Sequence, residues 1–405
     1  MRLVIVGAGP CGTCLAVALA RSGQPVTLVE AASEPVAESM RRFRGEALMP
    51  SGLEALERLG LWPLPAQVPQ RALGGWQIAV EGHQLVKVDE PLGGPRAAPC
   101  TLVNQPALLA ALLEPSQRPP ALRVAMGSAA ADLLRDSNSR VCGVVLADGR
   151  ELPADLVVGC DGRASLLRRR AGLALMGEQR PVDVLWFRFP QAAGPLPDPG
   201  FITVAGPAGL ASLFSNARGQ VQLGWAIAPD APTPSLGRSQ WTERLAAQAP
   251  PHLAGWLQRN AAQLEGPQRF SVQVGMAERW WQPGLLLLGD AAHPMSPVRA
   301  QGLNMALRDA AVASAVLSSR ATAAASATAI DALLAVIEAN RRPEVERLQQ
   351  LQAEELARGT ALQARPWLRQ LLAGLAPLVG PAVSAVWRRQ QRPLRHGLAP
   401  LPARR

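Results

Sequence analysis

The sequence predicts an α/β protein: a three-layer ββα domain, an inserted and mostly antiparallel β-sheet, and C-terminal helices. Three observations support this class. Residues 3–12 place an apolar strand before a glycine-rich turn and the start of a helix. Residues 180–280 alternate apolar and polar positions between turns rich in Gly, Pro and Asp. Residues 285–345 return to a strand and a long Ala-rich helix, and helical spacing continues to residue 365.

The first element predicts a Rossmann-like dinucleotide-binding turn. The apolar strand runs into Gly7, Gly9, Pro10, Cys11 and Gly12. In such a turn the first glycine permits the tight bend, the second lets the backbone approach a pyrophosphate, and the third lets the helix pack close to the strand. The N-terminus of the helix then offers N–H groups and a partial positive charge to phosphates.

An acidic residue completes this unit. Glu30 closes the second apolar run, 21 residues after Gly9. A carboxylate at this distance can accept hydrogen bonds from the ribose hydroxyls of an adenosine.

Two later motifs indicate which dinucleotide is bound. Residues 157–165 contain Asp161 and Gly162 after a buried strand, and residues 285–294 contain Gly289 and Asp290 after another. One glycine fingerprint alone is a weak signal. Three motifs in this order and at these separations point to FAD.

The three motifs resemble those of the class A flavin monooxygenases, the aromatic-hydroxylase family with the fold of p-hydroxybenzoate hydroxylase. The resemblance covers most of the chain and is weakest in the last 60 or so residues. It implies that Asp161 serves FAD and NADPH and that Asp290 binds the ribityl or ribose hydroxyls of FAD. It also implies that Arg44 lies near the pyrophosphate and that Gln105 faces the cofactor.

The resemblance extends to the segment after the third motif, which is expected to pass beneath the flavin ring and open a helix. It implies catalytic roles for Pro297, Arg299, Gly302 and Asn304, with Leu303 also holding the cofactor. A helix N-terminus there would stabilise the negative charge of reduced flavin near N1 and O2. Many relatives carry two glycines where this chain has Arg299 and Ala300. The arginine is expected to reach the flavin, an anionic substrate or solvent, and a glycine there is expected to leave the melting temperature nearly unchanged.

The activity implied is that of an FAD-dependent monooxygenase using NAD(P)H and O2. Hydride transfer to FAD and oxygen addition would give a C4a-hydroperoxide, which hydroxylates or epoxidises a hydrophobic or aromatic small molecule. A flavin halogenase or isoprenoid reductase on the same scaffold is an alternative, although Lys87 is the only lysine for a halogenase. A flavoprotein that only binds a hydrophobic ligand is the alternative from another class.

Other side chains have a structural and a functional interpretation. For His293, a structural turn residue is favoured over a proton relay. Cys11 and Cys14 match a C-x-x-C motif, but a disulfide there would compete with FAD, and no metal site is predicted from the scattered histidines. Substrate contacts would come from the sheet, although ordinary core packing is favoured at each single position; the candidates are Trp186, Phe187, Phe189, Phe214 and Trp225.

The motifs alternate with sheet segments, so the domains are expected to be discontinuous. The FAD-binding domain is predicted over residues 1–70, 101–175 and 281–345, and the substrate domain over 71–100 and 176–280, followed by a helical segment over 346–405. Between the motifs the pattern predicts helices at 51–60, 105–114 and 238–258, a hairpin within 71–100, and strands near 121–126 and 141–147.

Composition limits the partners. The net charge of +10 favours anionic ligands or an anionic membrane surface, but no nucleic-acid-binding signature accompanies it. The five cysteines show no spacing typical of a disulfide framework, which predicts a cytoplasmic protein. No secretory signal is expected, because the first apolar run is itself the nucleotide-binding strand. A monomer or homodimer is expected.

The apolar stretch 370–387 is uncharged, and Pro377 and Pro381 are expected to interrupt it. We expect these residues to form a helix pair packed on the domain rather than a membrane span. Peripheral contact with a membrane, through Trp387 and the neighbouring Arg388 and Arg389, is the alternative.

Overall fold

The computed structural model describes residues 1–33, 46–191, 196, 200–318 and 326–403. Within them the strands are, in chain order, β1 Leu3–Val6, β2 Val26–Val29, β3 Ala47–Leu48, β4 Gln70–Ala72, β5 Gly75–Val80, β6 His83–Asp89, β7 Thr101–Val103, β8 Leu122–Ala125, β9 Ala130–Arg135, β10 Val141–Leu146, β11 Glu151–Pro153, β12 Leu156–Gly159, β13 Leu175–Gln179, β14 Asp183–Phe189, β15 Phe201–Gly206, β16 Gly209–Ser215, β17 Val221–Ile227, β18 Glu265–Ser271, β19 Val274–Ala277, β20 Trp281–Gln282 and β21 Leu285–Leu287.

The α-helices of the same residues vary widely in length. They are α1 Pro10–Arg21, α2 Pro50–Arg58, α3 Gln105–Leu112, α4 Leu166–Arg170, α5 Arg238–Ala246, α6 Pro251–Arg259, α7 Gln301–Leu317, α8 Ala327–Gln363 and α9 Pro366–His396.

The first domain has three layers, as predicted. Its central sheet has the order β20-β21-β12-β1-β2-β8, and β1 pairs in parallel with both β12 and β2. Buried side chains of α1, α3 and α7 pack on one face of this sheet. On the other face, side chains of β9 and β10 pack against β1 and β12. The ββα arrangement therefore confirms the predicted fold class.

The second sheet has seven strands in the order β18-β14-β17-β16-β15-β5-β6. All of its pairings are antiparallel except that of β15 with β5, which confirms a mostly antiparallel sheet. Helices α5 and α6 cover one face. The prediction of one helix over 238–258 was wrong. Helix α5 ends at Ala246, and α6 begins at Pro251 with Pro250 as its N-cap residue, because proline cannot continue a helix without losing hydrogen bonds.

The C-terminal segment also differs from its prediction. Helix α9 runs unbroken for 31 residues through Pro377, Pro381 and Pro393. The expected interruptions were wrong because the helix packs along β6: the backbone of Gly380 approaches so closely that a Cβ there would lie 3.2 Å from the Leu85 carbonyl oxygen. Such packing outweighs the hydrogen bonds that the prolines remove. The predicted domain boundaries stay a prediction.

Candidate active site

The carboxyl ends of four neighbouring parallel strands bring the sequence motifs together. The turn after β1 holds the first glycines, β2 ends just before Glu30, β12 ends before Asp161, and β21 ends before Gly289. Because these strands are parallel and adjacent, their ends share one edge of the sheet. Ligands of open α/β sheets bind outside this edge.

The glycine turn has the shape that a dinucleotide requires. Gly7 has a φ of +101°, and a Cβ there would overlap the Cys160 carbonyl. A Cβ on Gly12 would overlap the Gly7 carbonyl oxygen, so α1 packs tightly against the turn. A Cβ on Gly9, in contrast, would meet nothing within 4 Å. The turn is thus close-packed on its protein side and open where a phosphate would approach, which fits a pyrophosphate cradle.

The carboxylate of Glu30 is held at the edge of this turn. Its Oε2 accepts a hydrogen bond from the Ala8 N–H at 2.7 Å, and its Oε1 accepts one from the Ala32 N–H at 3.0 Å. Each carboxylate oxygen can accept a further hydrogen bond. The predicted contact with ribose hydroxyls is therefore compatible with the geometry.

Cys11 and Cys14 do not form a reactive pair. Cys11 lies beside Cys160, and its side-chain hydrogen bond with Cys160 together with burial raises the pKa of Cys11 well above its ordinary value. Burial raises the pKa of Cys14 to about 12. Both side chains are buried free thiols in the helix that follows the turn, although a helix N-terminus by itself favours the thiolate.

Asp161 organises the second motif from within the protein. Its Oδ1 accepts from the Ser165 hydroxyl at 2.6 Å and its Oδ2 from the Leu167 N–H at 3.0 Å, so it holds the first turn of α4. Arg168 of that helix is buried and donates to the Ala291 carbonyl at 2.8 Å, which ties the second motif to the third. Direct contact between Asp161 and FAD stays a prediction.

The third motif meets the other two. Asp290 is half-buried and accepts from Nε of Arg163 at 3.1 Å. A Cβ on Gly302, in the first turn of α7, would lie 3.7 Å from the Asp290 carboxylate. A Cβ on Gly289 would lie 3.6 Å from the Cβ of Cys11. Asp290 and the N-terminus of α7 therefore flank the same opening as the glycine turn.

A buried ionic network fixes this motif. Asp309 of α7 accepts from the Gly289 N–H at 3.0 Å, lies 2.6 Å from Nε2 of His293, and accepts from Nε of Arg341 at 2.8 Å. Burial would raise the pKa of Asp309, but His293 and Arg341 outweigh burial and lower it to about 2. Arg341 also pairs with Glu344 of α8. His293 is fully buried in this network, as its structural interpretation expects.

The side chain of Asn304 holds the backbone around the start of α7. It is fully buried; its Oδ1 accepts from the Met49 N–H at 2.8 Å and its Nδ2 donates to the carbonyls of Ala47 and Ala300 at 3.1 and 2.8 Å. The side chain thus joins the start of α7 to β3 and to the start of α2. The predicted role of Asn304 at the flavin stays a prediction.

Residues 299 and 300, where the resemblance leads us to expect two glycines, have an unusual backbone conformation. Both have left-handed backbone, with φ of +56° at Arg299 and +52° at Ala300. Glycine adopts this conformation without strain, whereas other residues are disfavoured there. The Arg299 side chain is 10% exposed, donates to Glu355 at 2.7 Å, and lies 5.2 Å from the Trp76 ring and 4.8 Å from the Trp387 ring. It is therefore a packed side chain and not solvated surface.

The remaining predicted residues have simple placements. Pro10 begins α1, Gln105 is buried at the start of α3, and Pro297 is exposed just before the left-handed residues. Leu303, in the first turn of α7, packs against the core. Arg44 lies outside the described residues.

One face of the seven-stranded sheet carries an aromatic patch beside Arg299. We define this patch by five side chains, Trp76, Trp186, Phe201, Phe214 and Trp387. Phe201 and Phe214 stack at 5.2 Å, and Trp76 lies 5.2 Å from Phe201 and 6.1 Å from Trp387. Trp186 meets Phe214 edge-on at 6.1 Å.

The aromatic residues proposed from the sequence as substrate contacts lie on two different faces of the sheet. Trp186 and Phe214 belong to the aromatic patch, whereas Phe187, Phe189 and Trp225 point to the opposite face and pack among α5 and α6. Strand alternation could have separated Trp186 from Phe187. It could not show that Trp76, Phe201 and Trp387, which sequence analysis missed, would meet them.

Comparison of the sequence with known proteins identifies the ligand that this opening is expected to hold. A 6-methylpretetramide 4-monooxygenase from Streptomyces rimosus is 33% identical over 356 residues, with 86% of this chain and 82% of the relative covered. The family model described as an FAD binding domain matches residues 1–352. The chain belongs to the FAD-dependent aromatic hydroxylase family.

Other members of this family, and solved structures, agree. A 3-demethoxyubiquinol 3-hydroxylase from Escherichia coli is 28% identical, with 76% of this chain and 77% of that protein covered. The solved p-nitrophenol 4-monooxygenase from Pseudomonas putida superposes with a TM-score of 0.75 at 18% identity, covering 99% of each chain. A probable FAD-dependent monooxygenase from Pseudomonas aeruginosa gives 0.70 at 23% identity, covering 93% and 99%. The two structures support the fold alone.

The protein is thus an FAD-dependent oxidoreductase, and its opening fits FAD. The cradle at Gly9 would take the pyrophosphate, Glu30 the adenosine ribose and Asp290 hydroxyls nearer the flavin. When bound, FAD supplies hydride acceptance and oxygen activation. The first-turn N–H groups of α7 have no partner within the helix and would face the flavin pyrimidine edge.

Proposed function

We propose that this monooxygenase uses NAD(P)H and O2 to hydroxylate or epoxidise an uncharged aromatic or hydrophobic small molecule. The relatives named as acting on 6-methylpretetramide and on 3-demethoxyubiquinol support the reaction class. The reaction at the flavin C4a position is part of the same proposal.

The aromatic patch is the observation that carries the substrate class. It lies on the sheet face that adjoins the 297–300 segment, since Arg299 contacts both Trp76 and Trp387. That segment leads directly into α7, whose first turn borders Asp290. Trp76, Phe214 and Trp387 of the patch are 4%, 6% and 8% exposed, so a substrate ring would contact them only where α9 opens from the sheet. Such a ring would lie next to the expected flavin position, held by stacking and apolar burial.

The charge on this face supports an uncharged substrate. Glu355 pairs with Arg299, and Gln391 in turn donates to Glu355 at 3.3 Å. A carboxylate substrate would have to compete with Glu355 for the guanidinium, and separating a part-buried ion pair is costly. The Arg299 pair therefore favours neutral ligands at the aromatic patch.

NAD(P)H is proposed as a transient reductant, because the sequence carries one glycine fingerprint and the family binds its reductant over FAD. Cytoplasmic location and a monomeric or homodimeric state stay predictions.

The test is a ligand screen on the holoprotein. Neutral polycyclic and monocyclic phenols, quinols and alkenes are each added, and NAD(P)H oxidation, O2 uptake and transfer of isotope from labelled dioxygen into product are measured. Phe214→Leu should raise KM for a productive ligand about threefold to tenfold, because it removes a stacking face worth about 0.5–1.5 kcal/mol.

A matched variant lies on the opposite face of the sheet. Phe189→Leu changes a buried ring that packs on Trp256, away from the aromatic patch, and should leave KM within about twofold. Equal effects of the two variants would contradict the placement. Halide incorporation in place of oxygen would favour the halogenase alternative, and the absence of any ligand-stimulated oxidation would favour a non-catalytic binding protein.

A further inference from the structure

Exposed apolar side chains are concentrated on one helix. Among the described residues, eight large hydrophobic side chains are exposed, and five of them lie on α9. These five are Trp367 at 64%, Leu371 at 50%, Leu375 at 38%, Leu378 at 79% and Val386 at 57% exposed. Single exposed hydrophobic residues are ordinary, but a continuous group is typical of an interaction surface.

The five residues share one face of α9. At the helical repeat they fall within an arc of about 100° and extend about 30 Å along the axis. The opposite face is buried, with Ala373, Ala376, Gly380 and Trp387 against the sheet. The helix therefore has one apolar face in the protein and a second one outside it, which we call the outer face of α9.

Ionic contacts hold α9 in place on the protein. Arg369 donates to Glu81 at 2.7 Å and is 4% exposed as a residue; Arg395 pairs with Glu90 and is 3% exposed. By length and composition, α9 is the single helix of the described residues that could cross a membrane. Crossing would require both buried ion pairs to break, so the helix is suited to lie along a surface.

The charged side chains of α9 itself have one sign. Helix α9 contains no Asp or Glu, and the exposed Arg388, Arg389 and Arg392 follow the outer face at its carboxyl end. Trp367 lies at the opposite end, and tryptophan prefers the interface between water and acyl chains. Arginine beside a continuous apolar face matches an anionic lipid headgroup layer.

We propose that the outer face of α9 docks the enzyme on the surface of an anionic lipid bilayer. The apolar side chains enter the boundary between headgroups and acyl chains, and the three arginines bind headgroup phosphates. A second copy of the chain fits less well, because neither a parallel nor an antiparallel pairing of two α9 helices brings an acidic residue of α9 against these arginines.

The test uses the full-length holoprotein and vesicles of phosphatidylcholine, with and without phosphatidylglycerol. Co-sedimentation should detect binding to the vesicles that contain phosphatidylglycerol, and binding should weaken as salt rises because the headgroup attraction is screened. Leu371→Glu with Leu378→Glu should lower the bound fraction at limiting lipid at least tenfold. Arg389→Gln with Arg392→Gln should lower it severalfold for anionic vesicles.

The matched control is Met176→Glu with Val336→Glu. These residues are 56% and 45% exposed, lie on β13 and α8, and receive the same change of charge and polarity away from the outer face. Circular dichroism and flavin content should match the parent in every variant, because all the positions are exposed. The proposal is overturned if the parent binds no vesicle, if the control variant loses binding equally, or if Leu371→Glu with Leu378→Glu only converts a dimer into a monomer.

Discussion

Glycine substitutions at the two left-handed residues should have opposite effects on stability. In Ala300→Gly the only large change is in the backbone. Left-handed backbone at alanine costs roughly 1–2 kcal/mol relative to glycine. Replacing alanine by glycine also makes the unfolded chain more flexible, which offsets about 0.4–1 kcal/mol of the gain. Ala300→Gly should therefore raise the free energy of unfolding by about 0.5–1 kcal/mol.

Arg299→Gly gains the same backbone relief but loses more in the side chain. A charge-assisted hydrogen bond to Glu355, 18% exposed at its side chain, is worth about 1.5–3 kcal/mol. Contacts with the rings of Trp76 and Trp387 add about 0.5–1 kcal/mol each. The net expectation is a loss of about 2–4 kcal/mol. This corrects the sequence-based expectation of a nearly unchanged melting temperature, which assumed a solvated loop.

The assay is urea unfolding followed by far-ultraviolet circular dichroism, with the same excess of FAD in every sample because bound ligand stabilises the folded state. Arg299→Ala separates the two effects, since it removes the side chain and keeps the left-handed strain; it should be about 0.5–1 kcal/mol less stable than Arg299→Gly. An Arg299→Gly protein as stable as the parent would refute the side-chain part of the reasoning, and a destabilised Ala300→Gly would refute the backbone part.

Two further predictions concern the third motif. Asp290→Asn should weaken FAD binding about tenfold or more, because hydrogen bonds from hydroxyls to a charged group are worth about 1.5–3 kcal/mol. The apoprotein should melt at the same temperature as the parent. Equal FAD affinity of the two proteins by fluorescence titration would remove Asp290 from the site. Because the pKa of Asp309 is lowered from 3.8 to about 2, its ion pairs stabilise the fold fully above about pH 4 and are lost as pH falls through about 2. The free energy of unfolding of Asp309→Asn should therefore not show this decrease between about pH 4 and pH 2. The same decrease in the variant as in the parent would show that it does not come from Asp309.

The cofactor half of the site could be predicted because its signals are local. The bend at Gly7 and the close approach at Gly12 depend on neighbouring backbone, and the strand order that aligns Glu30 with Asp290 follows from parallel pairing. These constraints are visible as glycine spacing and as carboxylates at the ends of apolar strands.

The roles of several side chains could not be predicted because they depend on distant partners. Asn304 contacts Met49, which is 255 positions away, and Arg299 contacts Trp76 and Glu355. No spacing rule reports such pairs. The buried ion pairs of Asp309 could have been predicted from the sequence. Asp309 lies within an apolar, Ala-rich helix, where an ionised side chain is stable only with a partner.

The left-handed segment connects the two halves of the site. Its next residues form the first turn of α7 beside Asp290, while Arg299 is held by β5, α8 and α9 at once. With glycine at both positions, the backbone could take this conformation without strain and without a side chain to fix it. Here the conformation is strained, and the contacts of one arginine compensate for that strain. Movement of the segment would therefore separate Arg299 from Glu355 and from both tryptophans, so the position of the segment and the packing of the aromatic patch depend on each other.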